Sequence, residues 1–169
     1  MKNRYHKLTR NHKLNMQDKF IFFDTETHIV KGKDYDTHTL KLGWLKYWER
    51  PKNKTKDKYF ETSKQFWDYV ESKTEEKQTL HLFAHNTEFD FKIVDGYNEM
   101  LLKRGWILDS IYIQGTTFII RLSKDERRIL ILDTMNYFPT SLEKVGETLG
   151  LPKMKIDFDK CSKEELSIY

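Results

Sequence analysis

The order of apolar and polar positions sets out an alternating series of strands and helices. Lys19-Phe-Ile-Phe-Phe-Asp24 is a short continuous apolar run, the pattern of a strand buried on both faces. Residues 39–48 alternate well enough to predict a second strand. A lysine-rich stretch around Pro51 breaks it, and Tyr59-Phe60-Glu61 returns as a third. Thr62 and Gln65 have capping-box spacing, which predicts a helix through about Lys73 with Phe66, Trp67 and Val70 on one side. Thr79 to Ala84 is the next buried strand. Phe89, Ile93, Tyr97, Met100 and Leu101 recur at helical spacing, so one helix is expected from Phe89 to Arg104, with Gly105 as its C-terminal cap. Three strand-like runs follow, at 106–113, 116–122 and 128–133. Thr140 with Glu143 predicts a helix carrying Leu142, Val145 and Leu149, ended by Gly150-Leu-Pro152. Ser162 with Glu165 predicts another, starting near Lys163 and cut off at Tyr169, from which the chain is expected to be a fragment of a longer one. Strands interleaved with helices argue for an α/β domain with a mixed sheet over residues 19–169, behind a basic flexible leader, 1–18.

Composition narrows the class. At 169 residues the chain fits one ordinary domain. With 38% hydrophobic and 14% aromatic residues it is too apolar to be intrinsically disordered. The single cysteine, Cys161, excludes an intramolecular disulfide scaffold and a multi-cysteine zinc site. No apolar run approaches the roughly 20 residues that span a bilayer, so a soluble cytoplasmic protein without a membrane partner is expected. The leader is acid-poor like a transit peptide but also poor in Ser and Ala, which leaves organellar import as the lesser expectation. Charge is uneven: residues 1–19 hold six Lys/Arg against Asp18 alone, and residues 46–58 hold six more against Glu49 and Asp57. Such clusters often meet nucleic-acid phosphates, or are simply solvated.

Two acidic constellations carry the candidate chemistry. Asp24 and Glu26 follow an apolar strand at i and i+2, so both project from the same face of its end. Adjacent carboxylates repel unless a cation sits between them or one keeps a proton, and Mg²⁺ or Mn²⁺ suits oxygen ligands. Solvated strand-end acids are the simpler alternative. The second constellation, His85-Asn86-Thr87-Glu88-Phe89-Asp90, runs a strand into a polar corner and a helix. Asn86 is a candidate cap, and Asp90 suits a helix first turn by its dipole alone. Asp90 would also face the sheet end, where it could join Asp24 and Glu26 around a metal, with Phe89 offering a ring for a base. Asp133 ends an apolar strand as Asp24 does and is a lesser candidate. No Gly-rich phosphate loop occurs. Core packing best explains Trp44, Trp48, Trp67 and Trp106.

Asp24-Thr-Glu26 and Asn86-x-x-Phe89-Asp90 resemble the first two exonuclease motifs of family B DNA polymerases, in the protein-primed viral and plasmid-encoded branch. The segment from Leu132 to Lys155, with its Gly-Leu-Pro-Lys helix exit, is similar to the stretch between the second and third motifs. The likeness covers about residues 19–169. It implies a ribonuclease-H-like fold and 3′→5′ removal of mispaired nucleotides with two Mg²⁺ or Mn²⁺ ions, Asp24, Glu26 and Asp90 being ligands. It also implies that Thr27, His85, Asn86, Phe89 and Thr134 hold a frayed single-stranded DNA 3′ end; Met135 stands where the family usually has Leu. Tyr169 matches the third-motif tyrosine, and the metal-binding Asp expected four residues later is absent from the chain. The implied partners are a polymerase domain, in cis or in trans, and a terminal priming protein. A strand-binding module without turnover, or a platform for a replication partner, is the competing expectation.

Overall fold

The computed structural model describes residues 17–151; residues 1–16 of the leader, the capping box at Ser162 and Tyr169 lie outside the described residues. Seven strands form one mixed sheet: β1 (Lys19–Val30), β2 (Thr37–Glu49), β3 (Lys54–Phe60), β4 (Thr79–Ala84), β5 (Ile107–Gln114), β6 (Thr117–Lys124) and β7 (Arg127–Asp133). Their order is β3-β2-β1-β4-β7-β6-β5, with β4 parallel to β1 and to β7 and every other pair antiparallel. The architecture is α/β and compatible with a ribonuclease-H-like fold. Among the described residues no helix is long and apolar enough to cross a membrane.

α1 (Ser63–Glu71) starts where its sequence signal places it: the Thr62 hydroxyl accepts from Gln65 N, and Gln65 Oε1 accepts from Glu61 N. Its buried residues Phe66, Trp67, Tyr69 and Val70 pack on one face of the sheet, the Phe66 ring lying tilted at 4.8 Å from Phe23 and 4.9 Å from Phe60. α2 (Thr87–Ile93) covers the same face, with Phe91 between Trp67 and Phe118.

Several expectations are corrected. β1 is buried on one face only: Lys19, Ile21, Phe23 and Thr25 point inward while Phe22 is 40% exposed. Its other face reads as apolar because aromatic rings of neighbouring strands stack across it, Phe20 on Trp48 at 5.3 Å and Phe22 on Phe83 at 5.6 Å. The break expected around Pro51 is a 3-10 turn over Arg50–Lys52, but the strand that follows starts earlier than expected, at Lys54 instead of Tyr59. The single helix expected over 89–104 is two pieces. Asp95 takes φ 53°, ending α2, and the chain resumes as a π-helical turn over Asn98–Lys103. Gly96 permits this break because the Phe91 ring lies where a Cβ would be, 2.3 Å away. α3 (Leu142–Thr148) is capped by Ser141, one residue later than expected, and none of its residues is buried.

Gly43 is the tightest contact near the site end of the sheet. It pairs with Thr25 on one side and Phe60 on the other, and the Phe60 ring crosses the strand where a Cβ would stand, 2.1 Å away. Phe60 is fully buried and cannot swing aside. Gly43→Ala is therefore expected to destabilise the fold by about 1–3 kcal/mol, the usual range for overpacking, measured by urea unfolding.

Candidate active site

The three parallel strands β1, β4 and β7 run the same way, so their carboxyl ends, and the loops that leave them, gather at one edge of the sheet. Phe22 pairs with Phe83 near the end of β4, which leaves Asp24 and the rest of β1 beyond the last shared rung. Into that corner α2 descends from β4. Thr25 Oγ1 donates to Asp90 Oδ1 at 2.6 Å, joining residues 65 apart in sequence inside the protein.

Asp90 is only 3% exposed, and burial pushes its carboxyl up to about 7; hydrogen bonds from the Thr25 side chain and backbone oppose this, and the negative charges of Asp24 and Asp133 reinforce it. Asp24 thus lies within electrostatic reach of Asp90. Asp24 and Glu26 alternate with Thr25 along β1, so they leave the strand on the face opposite the one that meets Asp90. Contrary to the expectation of strand-end acids, β1 continues past Asp24 and Glu26 to Val30, paired with β2, so the acids lie where the β4 pairing ends and not where β1 does. Among the described residues no group of three or more His, Cys, Asp or Glu is set to hold a metal ion.

Around the acids stand the residues expected to hold a strand end. Thr27 Oγ1 lies 3.1 Å from His38 Nδ1, and the His38 ring meets the half-buried Phe89 edge-on at 5.4 Å. On the far side, His85 Nδ1 lies 2.9 Å from Thr134 Oγ1, and the Thr134 hydroxyl donates to the Ala84 carbonyl at 3.1 Å. With its proton committed to Ala84, the Thr134 oxygen accepts from Nδ1–H of His85. This assignment leaves Nε2 as the ring nitrogen that Thr134 does not engage.

Asn86 occupies the N-cap position with φ 70°, a conformation asparagine tolerates, but its side chain does not cap α2. Asp133 does that work from β7. Its Oδ2 accepts from Thr87 N at 2.7 Å, and its Oδ1 accepts from Asn86 N at 3.1 Å and Met135 N at 2.8 Å. The buried Thr87 hydroxyl lies 3.0 Å from the carbonyls of both Ala84 and Leu132 and ties the two strand ends together. Asp133, a lesser candidate in the sequence, is thus the group that fixes the corner, with all three of its hydrogen bonds running to backbone.

The structure gathers Asp24, Glu26, Thr27, His85, Asn86, Phe89, Asp90 and Thr134 at this one edge. Tyr169 lies outside the described residues. Sequence reasoning missed Thr25 and His38. Thr25 was hidden by its place between two acids, though alternation puts it on their opposite face. His38 precedes the recognisable part of β2 and had no local signal. The donor set suits a hard divalent ion in kind, being carboxylate oxygen throughout, and the unfavourable charge on Asp90 is the sort that a cation relieves. Comparison with family models, curated proteins and solved structures finds no match to this chain.

Proposed function

We propose that the protein is a metal-dependent 3′→5′ exonuclease module that edits DNA ends for a polymerase, with Asp24, Glu26 and Asp90 as the metal-binding carboxylates. The observation that carries the reading is the meeting of β1 and α2 at the strand ends, where Thr25 holds Asp90 beside the Asp24-Thr-Glu26 segment. Mg²⁺ or Mn²⁺, when bound, would supply an activated water and charge stabilisation for the departing 3′ oxygen. The chain's own residues do the rest. Asp90 must give up its proton to bind a cation, which makes loading easier as pH rises through about 7. Thr25 keeps the carboxylate aimed at the strand end. Phe89 offers a half-buried ring beside His38 for a terminal base. The pair of His85 and Thr134 gives the other wall polar atoms for sugar or phosphate.

A strand-binding module without turnover is the second reading. It is favoured by the absence of a preassembled three-acid cluster among the described residues. The two are separated by incubating the full chain with a 5′-labelled single-stranded oligonucleotide in Mn²⁺. Stepwise shortening from the 3′ end, lost in Asp24→Ala plus Glu26→Ala with strand affinity kept, supports the nuclease. Equal shortening by wild type and double variant overturns it. Tight binding with no shortening leaves the binder reading standing.

A further inference from the structure

We propose that edge strand β3 and the end of α1 form a second, phosphate-binding surface that grips the backbone of a nucleic-acid strand away from the carboxylate edge. Lys54, Lys56 and Lys58 alternate along β3 and so share one face of it, the face that carries Leu45, Tyr47 and Glu49 on β2. Three ammoniums at every second residue span roughly 14 Å, a reach that suits a chain of phosphates better than a single anion. α1 packs on the same face and adds Tyr69 and, just past its end, Lys73. Lys58 Nζ stands 4.9 Å and Lys73 Nζ 5.0 Å from the centre of the Tyr69 ring, and Lys73 is also 5.2 Å from the centre of Tyr47.

Two features mark this as more than a solvated lysine cluster. First, the Tyr69 hydroxyl is buried and has no hydrogen-bond partner, although the residue is only 6% exposed. A buried phenol normally finds a partner, so a donor left over among lysines is suited to a phosphate oxygen. Second, the positive charge is under-compensated. The nearby acids Glu49, Asp57 and Glu75 form ion pairs with Lys52, Lys46 and Lys19 respectively. None of Lys54, Lys56, Lys58 and Lys73 is in an ion pair among the described residues. Burial lowers the Lys73 ammonium below its ordinary range, and repulsion from Lys56, Lys54 and Lys19 adds to this while Glu49 opposes it.

Lysines on an edge strand also deter aggregation, but that role explains neither Lys73 on the helix side nor the unpartnered phenol. The patch exposes no large apolar side chain with which to enter a lipid layer. Along β1 the lysines run from the level of Lys19, which Lys54 matches, to that of Phe23, which Lys58 matches, so a strand held here would continue toward the acid edge. The choice of nucleic acid as ligand rests on the proposed function; the site itself does not depend on catalysis.

The test is fluorescence anisotropy of a labelled 20-nucleotide single strand and of a 20-base-pair duplex, in EDTA, with the full chain. Lys54→Ala, Lys56→Ala and Lys58→Ala together should weaken binding at least tenfold in 100 mM salt on one or both probes. They should also flatten the log–log salt slope by about 2–2.7, three phosphate contacts' worth. Wild type and variant share the basic leader, so their difference isolates the patch. Tyr69→Phe should weaken binding several-fold without lowering the melting temperature. The measurement is made in EDTA, where no metal-dependent cleavage or metal-bridged binding contributes, which separates this surface from the nuclease reading. Binding within twofold of wild type and an unchanged slope in the triple variant overturns the site, as does wild-type binding by Tyr69→Phe. Loss confined to phosphatidylserine vesicles would assign the patch to a membrane and overturn the proposal equally.

Discussion

Asp90→Asn is expected to stabilise the metal-free protein at pH 8 and to abolish the stabilisation that a divalent ion gives the wild type. The Asp90 carboxyl rises from an ordinary value of 3.8 to about 7 in the folded state, chiefly through burial. Below pH 3.8 it is protonated folded or unfolded and has no effect on stability. Between 3.8 and 7 the folded protein holds a proton that the unfolded chain releases, so stability falls as pH rises through this window. At about 1.4 kcal/mol per pH unit the loss is on the order of 4 kcal/mol above pH 7. Asn keeps an oxygen to accept from Thr25 and carries no charge, so the variant should show little of that slope. If the proposed metal site forms, a divalent ion would offset this penalty in the wild type, by about 2.7 kcal/mol at a hundredfold excess over its dissociation constant. Melting curves at pH 5 and pH 8, with and without 10 mM Mn²⁺, check both parts. A wild type whose stability does not fall between pH 5 and 8, or a variant that Mn²⁺ stabilises as much as wild type, contradicts the role given to Asp90.

The second large effect belongs to Asp133. Asp133→Asn is expected to destabilise the fold by about 3 kcal/mol. An amide oxygen in the place of Oδ1 can still accept from Asn86 N and Met135 N, but the amide nitrogen then meets Thr87 N–H, donor against donor. The group is 3% exposed, so water cannot repair the mismatch. Because the lost bond sets the first turn of α2, binding of a DNA 3′ end should weaken along with stability. Urea unfolding measures the first effect and anisotropy under native conditions the second. Stability within 0.5 kcal/mol of wild type would show that Asp133 does not hold the corner.

These two acids illustrate how far local reading reaches. Both stand at apolar-to-polar transitions, and neither has a neighbour in sequence that tells a reactive carboxylate from a structural one. Asp133 accepts three backbone hydrogens from three residues, whereas Asp90 accepts from Thr25 alone, through its hydroxyl and its backbone, and faces two repelling charges. That contrast arises because β7 lies beside β4 rather than at the sheet's edge, which places its last residue under the start of α2. In the same way, the apolar spacing from Phe89 to Leu101 is helical throughout, yet the Phe91 ring folds onto Gly96 and the helix breaks at Asp95.

What the amino-acid order determined by itself is the set of elements whose signal is short-range: β4, the run from β5 to β7, and the Thr62 cap of α1; it placed Asp24 and Glu26 at the end of a strand, whereas β1 carries on past them to Val30, paired with β2. The periods of two and 3.6 residues in those elements, and their capping bonds three residues apart, are properties of neighbours in the chain. Only the tertiary structure decided that Thr25 meets Asp90, that His38 joins Thr27 and Phe89, and that Asp133 caps α2. It also gathered the lysines of β3 with Tyr69 and Lys73 from another element. Each of these contacts satisfies a polar group or places a charge across a distance that strand order sets, and strand order is a global minimum of packing with no local signature.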